Sequence, residues 1–205
     1  MKNEIIFIGD SHSIHCFADG SVDVNYVIDI TLNKIRQHNS DVLVKYEGFF
    51  PLEYIHKYEI KESGDSLVGL INESNYKSVL LTIGEIDIRF HNSKLINDDV
   101  FEKTLESFTS FLRKINKNII LMSIIPPGLN SNHSENSDLN QRISLTKKMN
   151  SYFMNLCSKN NYFYFDIHDD FVKDEILDSQ KSDGGVHISK NFQNYILEKL
   201  KNYIL

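Results

Sequence analysis

The sequence predicts an α/β fold: a flavodoxin-like three-layer α/β/α sandwich with a five-stranded parallel sheet, in one domain over residues 1–205. Three observations carry this. Short apolar runs such as Ile5-Ile6-Phe7-Ile8 and Ser78-Val79-Leu80-Leu81-Thr82-Ile83 recur along the chain, and such runs suit strands covered on both faces, as in a parallel sheet. Segments of helical periodicity alternate with them, as right-handed crossovers require. Nothing inside the chain reads as a linker or an internal repeat, and 205 residues are enough for one substantial core.

The first strand, Ile5 to Ile8, stops abruptly in Gly9-Asp10-Ser11-His12-Ser13. Gly9 allows a turn. Ligands of open α/β sheets sit just beyond the carboxyl ends of strands, so Ser11 is presented where a ligand is expected. If a helix starts near Ser13, backbone N–H groups beside Ser11 are able to hold an oxyanion. For these residues alone, a turn with an N-cap is the alternative.

Residues 14 to 40 are ambiguous: Val22, Val24, Tyr26 and Val27 hint at extended structure, whereas Ile28, Leu32, Ile35 and Arg36 fit a helix. Asp41 to Tyr46 reads as the second strand, ending in the loop Glu47-Gly48-Phe49-Phe50-Pro51. A helix over Ser66 to Asn75 feeds the third strand, Ser78 to Ile83, which ends at Gly84. Asp98 or Asp99 caps a long helix to about Asn116, with Val100, Leu105, Phe108, Phe111 and Leu112 at helical spacing. Asn118 to Ile125 is the fourth strand, closed by Pro126-Pro127-Gly128, and the polar run Asn130 to Asp138 is a surface loop. A helix from about Leu139 to Ser158 leads to the fifth strand, Tyr162 to Ile167. Irregular sequence then reaches Asp183-Gly184-Gly185-Val186-His187, before an amphipathic last helix marked by Phe192, Tyr195, Ile196, Leu200 and Tyr203.

Composition excludes some classes of function. A net charge of -6 without a basic block argues against a nucleic-acid partner. The apolar run at the N-terminus is short and follows Glu4, so it suits neither a signal peptide nor a membrane span, and the cytoplasm is the expected location. Cys16 and Cys157 lie far apart without metal-ligand spacing and read as small buried hydrophobes.

Polar residues gather at the strand ends: Ser11 after the first, Gly48 after the second, Glu85, Asp87 and Arg89 after the third, and His187 before the last helix. All fall on one edge of the sheet. A serine nucleophile needs a histidine to take its proton, an acid to orient that histidine and donors for the oxyanion, and separate loops are able to supply them.

In this order, with Gly9-Asp10-Ser11 at the first strand, Gly84-Glu85-Ile86-Asp87 after the third, and Asp183 and His187 before the last helix, the chain resembles the SGNH (GDSL-type) hydrolases over nearly its whole length. The resemblance implies esterase or acyl-transfer activity in which Ser11 attacks, His187 is the base and Asp183 orients His187. It implies oxyanion donors from the N–H groups of Ser11 and Gly48, and no metal or other cofactor.

Two departures from the family pattern stand out. The family's third block is Gly-x-Asn-Asp, with the asparagine in the oxyanion hole, and here Ile86 has no donor to offer. Losing such a donor costs about a hundred- to a thousandfold in rate. Arg89 is offered in its place, with an ion pair to Glu85 or Asp87 as the alternative. The family also has Asp-x-x-His, whereas Asp183-Gly184-Gly185-Val186-His187 carries one residue more. Two glycines are able to bulge that residue out and let Asp183 reach the imidazole. A Ser11–His187 dyad oriented by a backbone carbonyl is the alternative.

His12 and His15 are spaced like ligands on one helical turn, but no third ligand is evident, and they read as polar surface. His168 with Asp166, Asp169 and Asp170 reads as an acidic loop after an edge strand rather than a cation site. Phe49, Phe50, Tyr54 and Tyr58 either wall a pocket or pack the fold. The function expected is a serine esterase that removes a short acyl group, such as acetyl, from a carbohydrate or other small polar molecule. An O-acyltransferase with the same triad and an inactive binding module of the same fold are the alternatives. Neither nucleic acid nor membrane is expected as a partner.

Overall fold

The computed structural model describes residues 5–17, 27–29, 34–36, 43–45, 67–129 and 138–204. In chain order the elements are β1 (Ile5–Gly9), α1 (Ser11–Phe17), β2 (Val27–Asp29), β3 (Lys34–Arg36), β4 (Leu43–Lys45), α2 (Leu67–Glu73), β5 (Ser78–Thr82), α3 (Glu85–Leu95) and α4 (Asp98–Leu112). There follow β6 (Asn118–Met122), α5 (Leu139–Asn160), β7 (Phe163–Phe165), α6 (His168–Phe171), the short β8 (Val172–Lys173) and β9 (Ile176–Leu177), and α7 (Gln193–Ile204). β1, β5, β6 and β7 form a parallel sheet flanked by helices, and the short β2 joins its edge as a fifth strand, in the order β2-β1-β5-β6-β7.

The apolar runs become strands because both of their faces are covered. Ile6, Ile8, Val79, Leu81, Ile119 and Leu121 pack on one side with Phe101, Phe108, Met149 and Phe153 of α4 and α5. The alternate residues Ile5, Phe7, Leu80, Ile120 and Met122 pack on the other with Phe17 of α1 and Ile196, Leu197 and Leu200 of α7. The period of two thus divides each strand between two cores.

Several expectations are corrected. The second strand read over 41–46 is not in the sheet at its described residues, Leu43–Lys45: β4 pairs antiparallel with β3 in a separate ribbon, and β2 takes the edge position beside β1. Lys34, Arg36 and Lys45 put charge in both strands of that ribbon, which a strand buried on both faces does not tolerate. The stretch after Gly84, where the sequence places Glu85, Asp87 and Arg89 at a strand end without assigning an element, is the helix α3. The cap of α4 is neither Asp98 nor Asp99 but Asn97, whose side chain accepts the Val100 N–H at 3.2 Å. Asp174 and Glu175, with φ of 52° and 68°, make the tight turn between β8 and β9 within sequence that had read as irregular. Gly48, the loop 46–51, Tyr54, Tyr58 and all but Asp138 of the 130–138 run lie outside the described residues. Among the described residues no helix is long and apolar enough to cross a membrane.

Gly9 sits where β1 and β5 end side by side. A Cβ there would lie 2.1 Å from both Thr82 O and Ser13 Oγ. Gly9→Ala should therefore force the two strand ends apart and destabilise the protein by about 1–3 kcal/mol, the usual cost of overpacking. Urea unfolding checks this, and a wild-type midpoint would show that the strand ends yield freely.

Candidate active site

Where β1 ends, the Asp10 N–H donates to Thr82 O at 3.0 Å, and the Asp10 side chain turns to accept the His12 N–H at 2.9 Å. Asp10 is thus the cap of α1, and Ser11 is the first residue of that helix. Ser11 therefore opens α1 at the carboxyl end of a central strand.

The other half of the site is the loop closed by the Ser182–Ile188 bridge. Asp183 Oδ2 lies 3.1 Å from His187 Nδ1, and Asp183 Oδ1 accepts the N–H groups of Gly185 at 2.9 Å and His187 at 3.3 Å. Gly184, at a φ of 91°, takes up the additional residue of the spacing. Burial works against the Asp183 charge, but the Gly185 N–H and the His187 contacts outweigh it and hold the carboxyl below its usual value.

His12 and His15 correct the reading of both as surface polarity. His12 is buried and His15 half-buried, because α1 packs inward under the 183–187 loop. The His15 ring stacks on His187 with centroids 4.0 Å apart and planes 8° from parallel, and the His12 ring meets the same imidazole at 4.8 Å and 54°. Burial, then His187, pushes His15 down to about 4, against the pull of Asp183. Burial, with His187, Arg89 and His15 adding to it, holds His12 well below the usual histidine value. Both rings are therefore neutral at ordinary pH. The signal for them was their position in the turn that Ser11 opens.

On α3, Glu85 and Arg89 pair at 3.0 Å one turn apart, both largely enclosed. Burial raises Glu85 to about 6, with Arg89 and Arg142 opposing it. Arg89 is thus engaged by a carboxylate, the arrangement that sequence allowed as its alternative. Asp87 is buried in the first turn of the same helix, and Ile86 is buried with no polar atom to offer. Arg142, unremarked in the sequence, is buried on α5 and donates from Nη1 to Gly128 O at 3.1 Å. Its register with Leu145, Met149 and Phe153 on the core face was the clue to its burial.

Two groups come close enough to invite an ion: His15, Asp183 and His187, and Asp10, His12 and Glu85. A metal bonds in the plane of each imidazole, and two rings stacked 4.0 Å apart share no such point. In the second group Glu85 is already paired with Arg89. The cavity beside Asp10, His12, Thr82 and Glu85 measures about 10 Å³, barely the space of one water. A larger cleft of about 260 Å³, lined by Lys147, Asn150, Met154 and Tyr164 among others, includes none of Ser11, Asp183 and His187. His168, which lines it, is held by Ile124 O at 2.9 Å from Nδ1.

No protein-family model and no curated protein matches this sequence. Solved structures described as a carbohydrate acetylesterase family member, an acetylxylan esterase and a candidate acylhydrolase match it across nearly the whole chain. One, a carbohydrate acetylesterase family member from Sinorhizobium meliloti, is 13% identical with a TM-score of 0.55, covering 98% of this chain and 97% of that one. A catalytic mutant of an acetylxylan esterase from Geobacillus stearothermophilus is 14% identical with a TM-score of 0.56, covering 98% and 94%. A candidate acylhydrolase from Bacteroides fragilis is 13% identical with a TM-score of 0.60, covering 98% and 86%. At such identities the likeness is one of fold.

The neutral His15 has a consequence for stability. Its folded pKa is depressed, so its contribution is fully present above about 6.5 and is lost as pH falls toward about 4, where the unfolded chain takes a proton that the folded ring refuses. His15→Phe should shrink the fall in Tm across that window, measured by thermal melts on either side of it. An unchanged fall would mean that His15 titrates alike in both states.

Arg89→Ala would leave Glu85 enclosed without its partner. The expected loss is about 3–5 kcal/mol by urea unfolding, recovered in large part by Glu85→Gln/Arg89→Met. A loss below about 1 kcal/mol would match an exposed pair instead.

Proposed function

We propose that this chain is a serine esterase of SGNH type that removes a short acyl group, acetyl first among them, from an oxygen of a carbohydrate or other small polar molecule. The observation that supports it most is the 3.1 Å contact between His187 and Asp183, with the His187 ring lying on α1, the helix that Ser11 opens. The substrate class rests on the neighbours described as a carbohydrate acetylesterase and an acetylxylan esterase.

In this reading the Ser11 hydroxyl oxygen bonds to the acyl carbon while its proton passes to Nε2 of His187. Asp183 holds the other ring nitrogen and stabilises the imidazolium. The N–H groups of Ser11 and Gly48 receive the negative oxygen. Collapse breaks the bond to the alcohol oxygen, which leaves with the proton from His187. Water then attacks the acyl-serine, giving its proton to His187, and the bond to the Ser11 oxygen breaks as that oxygen takes the proton back and the acid is released. A sugar hydroxyl in place of that water would make the same site an O-acyltransferase.

A fluorophosphonate should label Ser11, mapped by mass spectrometry, and Ser11→Ala should abolish both labelling and hydrolysis of p-nitrophenyl acetate. His187→Ala should fall to near background, and Asp183→Asn should lose about ten-thousandfold in kcat, as loss of the correct tautomer does in other serine hydrolases. An Asp183→Asn enzyme within fivefold of wild type would indicate a dyad. Labelling of another serine, or no labelling and no hydrolysis, would end the esterase reading in favour of a binding module.

A further inference from the structure

His12 is not one of the three residues assigned chemistry above, yet it touches the segment that carries the base. Its ring Nε2 lies 3.2 Å from Val186 O, across 174 residues of sequence. A carbonyl only accepts, so Nε2 is the protonated nitrogen. The ring is fixed at its root, where the His12 N–H donates to Asp10 Oδ1, while Nδ1 makes no hydrogen bond. Val186, which it grips, is buried and immediately precedes His187.

Gly128 meets the peptide on the other flank of Val186. A Cβ at Gly128 would come within 2.7 Å of Gly185 O and 3.1 Å of Val186 Cα, so the loop backbone lies directly on this glycine. Gly128 is in turn held by the buried Arg142 through its carbonyl. The tip of the loop is open by contrast, since a Cβ on Gly184 would meet nothing within 4 Å. Two consecutive glycines leave that tip wide conformational freedom, and without a hold on Val186 that freedom passes to His187.

We propose that His12 and Gly128 clamp the backbone on either side of Val186 and thereby set His187 against Asp183, which makes His12 a positioning residue for the base. The inference rests on the reading of His187 as general base, and one arm of its test needs no turnover. His12→Phe keeps a ring of similar size and removes the Nε2 donor, whereas His12→Gln restores a donor at similar reach. In His12→Phe, kcat on p-nitrophenyl acetate should fall about ten- to a hundredfold with KM little changed, the scale of a small misplacement, and His12→Gln should recover most of it. In parallel, proton NMR should show a far-downfield Nδ1–H resonance of His187, identified by its loss in Asp183→Asn. That resonance should vanish in His12→Phe and return in His12→Gln. Gly128→Ala, which pushes on the neighbouring peptide before Val186, should weaken it as well and carries the test if His12→Phe does not fold. Retention of the resonance and of wild-type kcat in His12→Phe would overturn the clamp, as would its absence from the wild-type protein or a failure of His12→Gln to restore it. A resonance that follows this pattern in a protein with no esterase activity would leave the clamp standing and remove the esterase reading alone.

Discussion

Burying polar side chains at the carboxyl edge of a parallel sheet is the constraint on which the site's geometry depends. Asp10, His12, Asp87, Arg89 and Arg142 are all enclosed, and Glu85 nearly so. An enclosed polar group without a partner costs about 1–3 kcal/mol, more if charged, so each such side chain dictates where a neighbour must be. Asp10 takes the His12 N–H in the first turn of α1, Glu85 takes Arg89, Arg142 takes the Gly128 carbonyl and His12 takes the Val186 carbonyl. Two of these bonds join separate parts of the fold, α1 to the loop before α7 through His12 and α5 to the segment after β6 through Arg142, which hydrophobic packing alone would leave free to slide by fractions of an ångström.

The topology explains why they meet at this place. From β1 the chain goes first to β2 on one side and later to β5 on the other. The crossovers therefore leave in opposite directions, and a crevice opens between the ends of β1 and β5, the position where ligands bind in open α/β sheets. Gly9 is at the floor of that crevice, where Thr82 O approaches too closely for any side chain. Both helices that begin there, α1 and α3, direct their N-termini toward the edge, which favours negative charge at that point. Glu85 and Asp87 in the first turn of α3 use this field, and an oxyanion beside Ser11 would use that of α1.

Strands with uninterrupted apolar runs were legible in the sequence because both of their faces are buried, which leaves no competing pattern. The β1, β5 and β6 segments are of this kind. The edge strand β2 was not legible: three residues within an ambiguous stretch carry too little periodicity, and Asp41 to Tyr46 offered a more convincing apolar run, of which Leu43–Lys45 lies in a different ribbon. At the site, the residues that carry a resemblance could be named from their order along the chain. His12, His15, Arg142 and Gly128 could not, because a polar residue is read as exposed unless the partner that compensates its burial is visible, and these partners lie up to 174 residues away. Arg142 was an exception in principle, since its place on the apolar stripe of α5 contradicted its charge.

The five-residue spacing from Asp183 to His187 also acquires a physical sense. Two imidazoles face one carboxylate oxygen, His187 at 3.1 Å and His15 at 3.9 Å, and stacked rings 4.0 Å apart cannot both carry a proton cheaply. With His15 held neutral down to about 4, the Asp183 charge is left to His187. The longer loop then lets a single carboxylate grip one residue twice, Oδ2 at the ring and Oδ1 at the backbone N–H. A grip on both the ring and its own peptide restricts rotation about the bonds between them, which a contact with the ring alone would not do. An extra glycine is therefore compatible with an oriented histidine, provided that the peptide before it is held from outside the loop.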